Sequence, residues 1–214
     1  MGLDEFKTED SGVSPSTGKV ELDQSEVIRR FPHIQKIEDG AIKEEVIYLT
    51  ATSPEYFWEV PASNSGHHHP ICRKECGLWA HTLMGATAYE RLAQSYIAQG
   101  LINKHELDCG RAAILLHDQR KNGDPEEPDF YSTDYHDLHM ADVITESSAL
   151  PLKVADAVKS HMGPEEWYDG PAPDTPLQQL VHSADMIAST ENITATIYGS
   201  VPDELADIGV TNVF

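Results

Sequence analysis

Apolar residues in this chain recur at helical intervals through most of its length, and caps, prolines and glycines punctuate the recurrences. From Gly77 to Gln99 the positions Leu78, Leu83, Ala86, Leu92, Tyr96 and Ile97 mark one helical face, and Gly100 stands where a helix end takes a C-cap glycine. Asn103 followed by Glu106 resembles a capping box and predicts a helix running to His117. A polar loop, Gln119 to Asp129, leads to a helix from about Thr133 to Ser147. Pro151 opens the next, which ends near Met162-Gly163-Pro164. After a Pro/Gly/Asp-rich loop, Thr175-Pro176 supplies an N-cap and first helical residue for a run carrying Leu180, Val181, Met186 and Ile187.

Upstream the pattern changes twice. Residues 1–22 are rich in Asp, Glu, Ser, Gly and Thr without an apolar period, as in a mobile acidic arm. Over 23–60, Val27, Ile28, Phe31, Ile34, Ile37, Ile42, Val46 and Ile47 predict short helices that dock on the main domain. Pro54 to Pro70 reads as a loop anchored by Tyr56, Phe57 and Trp58. Alternating strand patterns are scarce and no internal repeat occurs. The expected architecture is all-α: one bundle of about five core helices over 61–192, with a short N-terminal extension and a C-terminal tail over 193–214.

With 214 residues and 40% hydrophobic content, one domain can bury a full core. No run approaches the roughly 20 apolar residues of a membrane span, and the first residues lack the basic-then-apolar order of a signal peptide. The expectation is a cytoplasmic protein that does not engage a membrane. Acidic residues number 36 against 15 basic, a formal net charge of -21. They are spread along the chain, which fits adaptation to a salt-rich, halophilic cytoplasm where self-repulsion is screened. This balance denies the chain a broad basic footprint for duplex DNA.

The three cysteines form no disulfide framework. Cys109 falls in a helical pattern as a small buried hydrophobe. Cys72 and Cys76 follow His67-His68-His69 with a spacing foreign to ribbons and fingers, and they read as loop residues rather than a zinc site.

The chemistry centres on His117-Asp118, which closes the run Arg111-Ala-Ala-Ile-Leu-Leu-His-Asp. Imidazole and carboxylate together suit Mg, Mn, Fe, Co, Ni or Zn, so the pair does not select the metal. His81 lies near the start of one predicted helix, His117 and Asp118 at the end of the next, His136 at the opening of a third, His161 at the close of a fourth and Asp185 within a fifth. Each histidine alone is as well explained as a hydrogen-bonded core residue. Five successive helices that each bring a ligand are not.

In this order the residues resemble the HD-domain superfamily of metal-dependent phosphohydrolases, whose pattern is H…HD…H…H…D. The motifs run Gly77-Leu-Trp-Ala-His81-Thr, Leu116-His117-Asp118-Gln-Arg-Lys121-Asn-Gly123, His136-Asp-Leu-His-Met-Ala141, Val158-Lys-Ser-His161 and His182-Ser-Ala-Asp185. The stretch Pro61-Ala-Ser-Asn-Ser-Gly66…His69-Pro70…Gly77-Leu78 resembles a subgroup common in viral and prokaryotic members, with Cys76 where a glycine is usual. A virus-encoded member would act in the host cytoplasm.

The resemblance implies that His81, His117, Asp118 and Asp185 bind a first divalent metal ion, with Asp118 able to bridge to a second. His136 and His161 would complete that second site. His139, one turn away, is the rival to His136, and the register of Ala141 favours His136. Lys121 matches the lysine of HD-x-x-K, which would neutralise a phosphate oxygen as charge develops. Arg73, Arg120 and His69 are further substrate-binding candidates. Asp118 and Lys121 are the expected catalytic pair.

The implied function is hydrolysis of phosphate esters or anhydrides of nucleotides, by a nucleotidase or dNTP hydrolase, through metal-activated water. The partner is then a small phosphorylated substrate, with homo-oligomers open. Two alternatives stand beside it: a 3′-5′ exonuclease or cyclic-nucleotide phosphodiesterase, and a non-catalytic metal-stabilised module.

Overall fold

A computed structural model of the chain describes residues 21–63, 68–124, 135–164 and 168–213. The acidic arm expected over 1–22 lies almost wholly outside the described residues, as do the second half of the loop after Gln119 and the start expected at Thr133. The described helices are α1 (Gln24–Arg30), α2 (Gly40–Ala51), α3 (Tyr56–Glu59), α4 (Gly77–Ala98), α5 (Lys104–Leu116), α6 (His136–Ser147), α7 (Leu152–Lys159), α8 (Pro176–Ala188) and α9 (Asp203–Asp207). Two 3-10 turns, Pro32–Lys36 and Pro70–Arg73, join them. The fold is an all-α bundle with two short strands, β1 (Thr196–Tyr198) and β2 (Thr211–Val213).

Local chemistry sets the helix ends. Gly100 takes φ +69°, and Leu101 N–H reaches back to Tyr96 O at 2.9 Å, closing α4 as a Schellman end. Both sides of the Asn103–Glu106 capping box form, at 3.0 Å each. The Thr175 hydroxyl likewise caps α8 behind Pro176. Helix α7 stops at Lys159, short of Met162, and the chain turns through Gly163 at φ +67° before Pro164. That early stop leaves His161 in the bend rather than on the helix.

Helix α4 runs through the middle, packed chiefly on α8 and α5, while α6 packs on α7. Leu177, Leu180, Val181, Ala184, Asp185 and Ala188 form the buried stripe of α8. Met186 and Ile187 are therefore turned outward and exposed, because the inward place at that turn is taken by a carboxylate. Ile97, near the end of α4, also faces solvent.

The segments outside the bundle are part of the core. Val27, Phe31, Ile34 and Ile37 are completely buried. Arg30 lies over the Trp58 ring at 4.6 Å and accepts a hydrogen bond from Trp79 Nε1 at its carbonyl, 3.1 Å away. The aromatic residues expected to anchor a loop, Tyr56, Phe57 and Trp58, are buried on the short helix α3. Residues 193–213, set apart in the sequence as a tail, close the other side: β1 pairs parallel with β2, joined by a crossover through α9, and Ile197 and Leu205 are fully buried. Thr87 on α4 ties these segments together, pairing with His33 Nε2 at 3.0 Å and accepting from Tyr198 N–H at 3.1 Å. Burial holds the His33 imidazole neutral, down to about 3.

The start of α4 fixes where its first ligand candidate sits. Cys76 takes a left-handed conformation, φ +61°, and Gly77 passes so close to Cys72 that a Cβ there would lie 2.2 Å from the Cys72 carbonyl oxygen. Gly77→Ala must push backbone against backbone and is expected to lower stability by about 1–3 kcal/mol. Thermal or urea unfolding of the variant checks this, and an unchanged midpoint would contradict the close approach.

Candidate metal centre

Each candidate ligand reaches the centre from a different element. His81 lies one turn into α4, on the buried stripe with Leu78, Thr82 and Gly85. His117 is the C-cap of α5 and Asp118 follows it. His136 is the first residue of α6, His161 sits two residues past α7, and Asp185 belongs to α8. All six are buried, with exposures from 0% for His117 to 8% for Asp185.

Their polar atoms converge. Asp185 Oδ1 lies 2.9 Å from His81 Nε2 and 3.4 Å from His117 Nε2. Asp118 Oδ2 is 3.5 Å from His117 Nε2 and 3.7 Å from His81 Nε2. The other oxygen, Oδ1, is 3.1 Å from His136 Nε2 and 3.7 Å from His161 Nε2. Asp118 thus turns one oxygen to each half of the cluster. Ligands about 2.1 Å from one ion stand about 3.0 Å apart at octahedral right angles and about 3.4 Å apart in a tetrahedron. His81 and Asp185 are hydrogen-bonded at 2.9 Å, and the remaining spacings, 3.1–3.7 Å, also match those of ligands that share an ion.

The residues fit a divalent cation in a second respect. His117 Nε2 and Asp118 Oδ1 are buried and find no hydrogen-bond partner among the described residues. A buried polar atom left so is costly unless something else satisfies it. The far nitrogens of two of the rings are meanwhile secured: His117 Nδ1 bonds Ile114 O at 2.8 Å, and His161 Nδ1 bonds Val158 O at 2.7 Å. Donating that N–H to a carbonyl leaves Nε2 with its lone pair toward the centre, the usual arrangement behind a metal-bound histidine. Two groups can hold an ion, His81 with His117 and Asp185, and His117 with Asp118 and His161; both use His117.

The electrostatics follow from crowding. Burial opposes the charge on Asp118, but the Lys121 ammonium, His117 and the nearby imidazoles of His136 and His161 outweigh it and hold the carboxyl well below its usual range. Burial likewise opposes charge on Asp185, and His117 and His81 overcome it. His117 is raised, its desolvation outweighed by the two carboxylates. His161 is lowered, first by burial and then, against Asp118, by neighbouring His117 and His136.

Other sequence candidates divide. Lys121 Nζ is 2.9 Å from Asp118 Oδ2, on the edge of the cluster. Its turn is pinned by Tyr56, whose hydroxyl donates to Gly123 O at 2.7 Å and accepts from Asn122 N–H at 3.2 Å. His139 is not with the others: its Nε2 faces Asp124, 3.3 Å away, so the geometry favours His136. Arg120 is turned to the end of α2, donating to Thr52 O. Arg73 donates to His68 O at 2.7 Å and to Glu191 at 3.1 Å. His69 caps the Pro70–Arg73 turn by accepting from Ile71 N–H. Its neighbour His68 is the histidine that meets the centre, its ring 5.2 Å from that of His81. Burial, then His81 and Lys121, push His68 down to about 4. The histidine triplet signalled this region, but nothing in its spacing singles out the middle residue. Cys72 is buried with Sγ 3.8 Å from Met84 Sδ, and neither cysteine belongs to a metal-capable group among the described residues.

No described helix is long and apolar enough to cross a membrane. Compared with protein-family models, curated proteins and solved structures, the chain matches none. Divalent ions that bind this centre should raise the melting temperature, since a ligand at a hundred times its Kd adds about 2.7 kcal/mol. Titrating Mn²⁺ or Co²⁺ against thermal unfolding checks this in the wild type and in His117→Ala. The shift is expected to vanish in the variant, and equal shifts in both would contradict the assignment.

Proposed function

We propose that the chain is a metal-dependent phosphohydrolase acting on phosphate esters or anhydrides of nucleotides, as a nucleotidase or dNTP hydrolase. The convergence of four imidazoles and two carboxylates beside one half-buried lysine carries this reading. The resemblance of these residues, in order, to the HD-domain pattern supports it. His81, His117, Asp118 and Asp185 would hold one ion, and Asp118, His136 and His161 a second. Bound divalent ions lower the pKa of water and polarise phosphoryl oxygens.

The protein's own groups do the rest. Lys121, 15% exposed at its side chain, offers an ammonium to a phosphoryl oxygen as negative charge builds. Burial strengthens that interaction, because little water remains to screen it. Asp118 stays a carboxylate that can accept a hydrogen bond from the attacking water and orient it, and the proton lost by that water leaves to solvent, since the Lys121 ammonium has no site to accept it. At a formal net charge of -21 the chain repels anions, so a phosphorylated small molecule would be held where bound divalent ions and Lys121 offset the carboxylates.

A panel of dNTPs, nucleoside monophosphates, cyclic nucleotides and short RNA, each with Mn²⁺, Co²⁺, Ni²⁺ and Mg²⁺, tests the reading. Release of phosphate from nucleotides is expected. Cleavage confined to RNA or cyclic nucleotides would replace it by the exonuclease or phosphodiesterase alternative. No turnover of any substrate by metal-loaded protein would point to the non-catalytic module. Asp118→Ala should reduce hydrolysis to background while circular dichroism keeps its helical signal, and Lys121→Ala should cost about a hundredfold in kcat. Retained turnover in Asp118→Ala would contradict the site.

A further inference from the structure

His68 lies beside the centre without converging on it. Its ring packs edge-on against His81 at 5.2 Å and 63°, yet it belongs to neither metal-capable group. Its Nδ1 is buried, with no hydrogen-bond partner among the described residues. The backbone beneath it is fixed. Arg73 Nε donates to His68 O at 2.7 Å and its other end is held by Glu191, while Cys72 N–H closes the following turn on His69 O at 2.9 Å. Lys121 stands on a turn that is fixed in the same way, by Tyr56 bonding the backbone of Asn122 and Gly123. The fold thus holds two nitrogen-bearing side chains on separate, braced segments at the border of one cluster.

We infer that His68 is a substrate-binding residue that donates a hydrogen bond to a phosphoryl oxygen, acting with Lys121 to seat the phosphate. This rests on the phosphohydrolase reading and gives it a residue that the family-like motifs do not supply. A neutral imidazole serves the role, since its N–H donates without a charge. Both donors stand on backbone that is already fixed, so seating the phosphate has only their side chains left to order. The ring also has a nitrogen that no described residue satisfies, so the imidazole has hydrogen-bonding capacity left for a ligand.

The test uses the full chain loaded with Co²⁺ and titrated calorimetrically with inorganic phosphate, in wild type, His68→Phe and His68→Gln. Phenylalanine keeps a ring against His81 and removes both nitrogens, whereas glutamine keeps an N–H donor. His68→Phe is expected to weaken phosphate about tenfold, a loss of about 1.4 kcal/mol. Its Co²⁺ stoichiometry and visible spectrum should match the wild type, and His68→Gln should recover most of the affinity. Unchanged phosphate affinity in His68→Phe overturns the assignment, as does a glutamine variant as weak as phenylalanine. An altered Co²⁺ spectrum or stoichiometry overturns it too, because His68 would then be serving the ion. A wild type that takes up no Co²⁺, or takes it up and binds no phosphate, contradicts the underlying phosphohydrolase reading instead.

Discussion

Two carboxylates in a dry interior set the terms for everything around them. Asp118 and Asp185 are buried, and desolvating an ion costs several kcal/mol in a real protein even after relaxation. Lys121 answers one of the two charges at 2.9 Å. The other faces His81 and His117, and crowding among the four imidazoles limits how many can carry charge at once. The ring centres of His117 and His161 are only 4.8 Å apart, and those of His136 and His161 5.2 Å, so cations there oppose one another. A divalent ion resolves the conflict in the proposed centre, because it satisfies lone pairs on both residue types at once.

The bundle is arranged to bring those groups together and little else. Four of the six reach the centre near helix ends or in the bends beside them, where the backbone can turn a side chain inward without interrupting a helix. The two that stand within helices, His81 and Asp185, occupy places on apolar stripes, and α4 and α8 pack closely enough for them to meet at 2.9 Å. The N-terminal and C-terminal segments brace the arrangement from outside: Tyr56 holds the Lys121 turn, and Thr87 links His33, α4 and β1. Ile197 and Leu205, buried near the chain's end, close the core behind α4.

Much of this was legible in the residues. A carboxylate at position 185, within the stripe Leu177, Leu180, Val181, Ala184 and Ala188, makes sense only with a buried partner. His117-Asp118 at the end of an apolar helix gave the same signal, and the caps Gly100, Asn103 and Thr175 read correctly because their geometry is local. What depended on long-range contact was harder. Arg73 and Arg120 look like phosphate ligands in sequence, yet both hold backbone carbonyls elsewhere in the fold. Choosing between His68 and His69 requires knowing that one caps a 3-10 turn while the other meets His81. His139 shares a helix face with His136, and contacts outside that helix distinguish them: Asp118 beside His136 and Asp124 beside His139. The strands β1 and β2 have three residues each, too few to show an alternating pattern.

The central claim is that the buried His/Asp cluster is a divalent metal centre, and elemental analysis of protein purified without chelators tests it most directly. The wild type is expected to carry one or two equivalents of a first-row or alkaline-earth divalent ion per chain, and the double variant His117→Ala/Asp118→Ala none. Wild-type protein that carries no divalent ion and takes none up on dialysis against Mn²⁺, Co²⁺, Ni²⁺, Zn²⁺ or Mg²⁺ would contradict it.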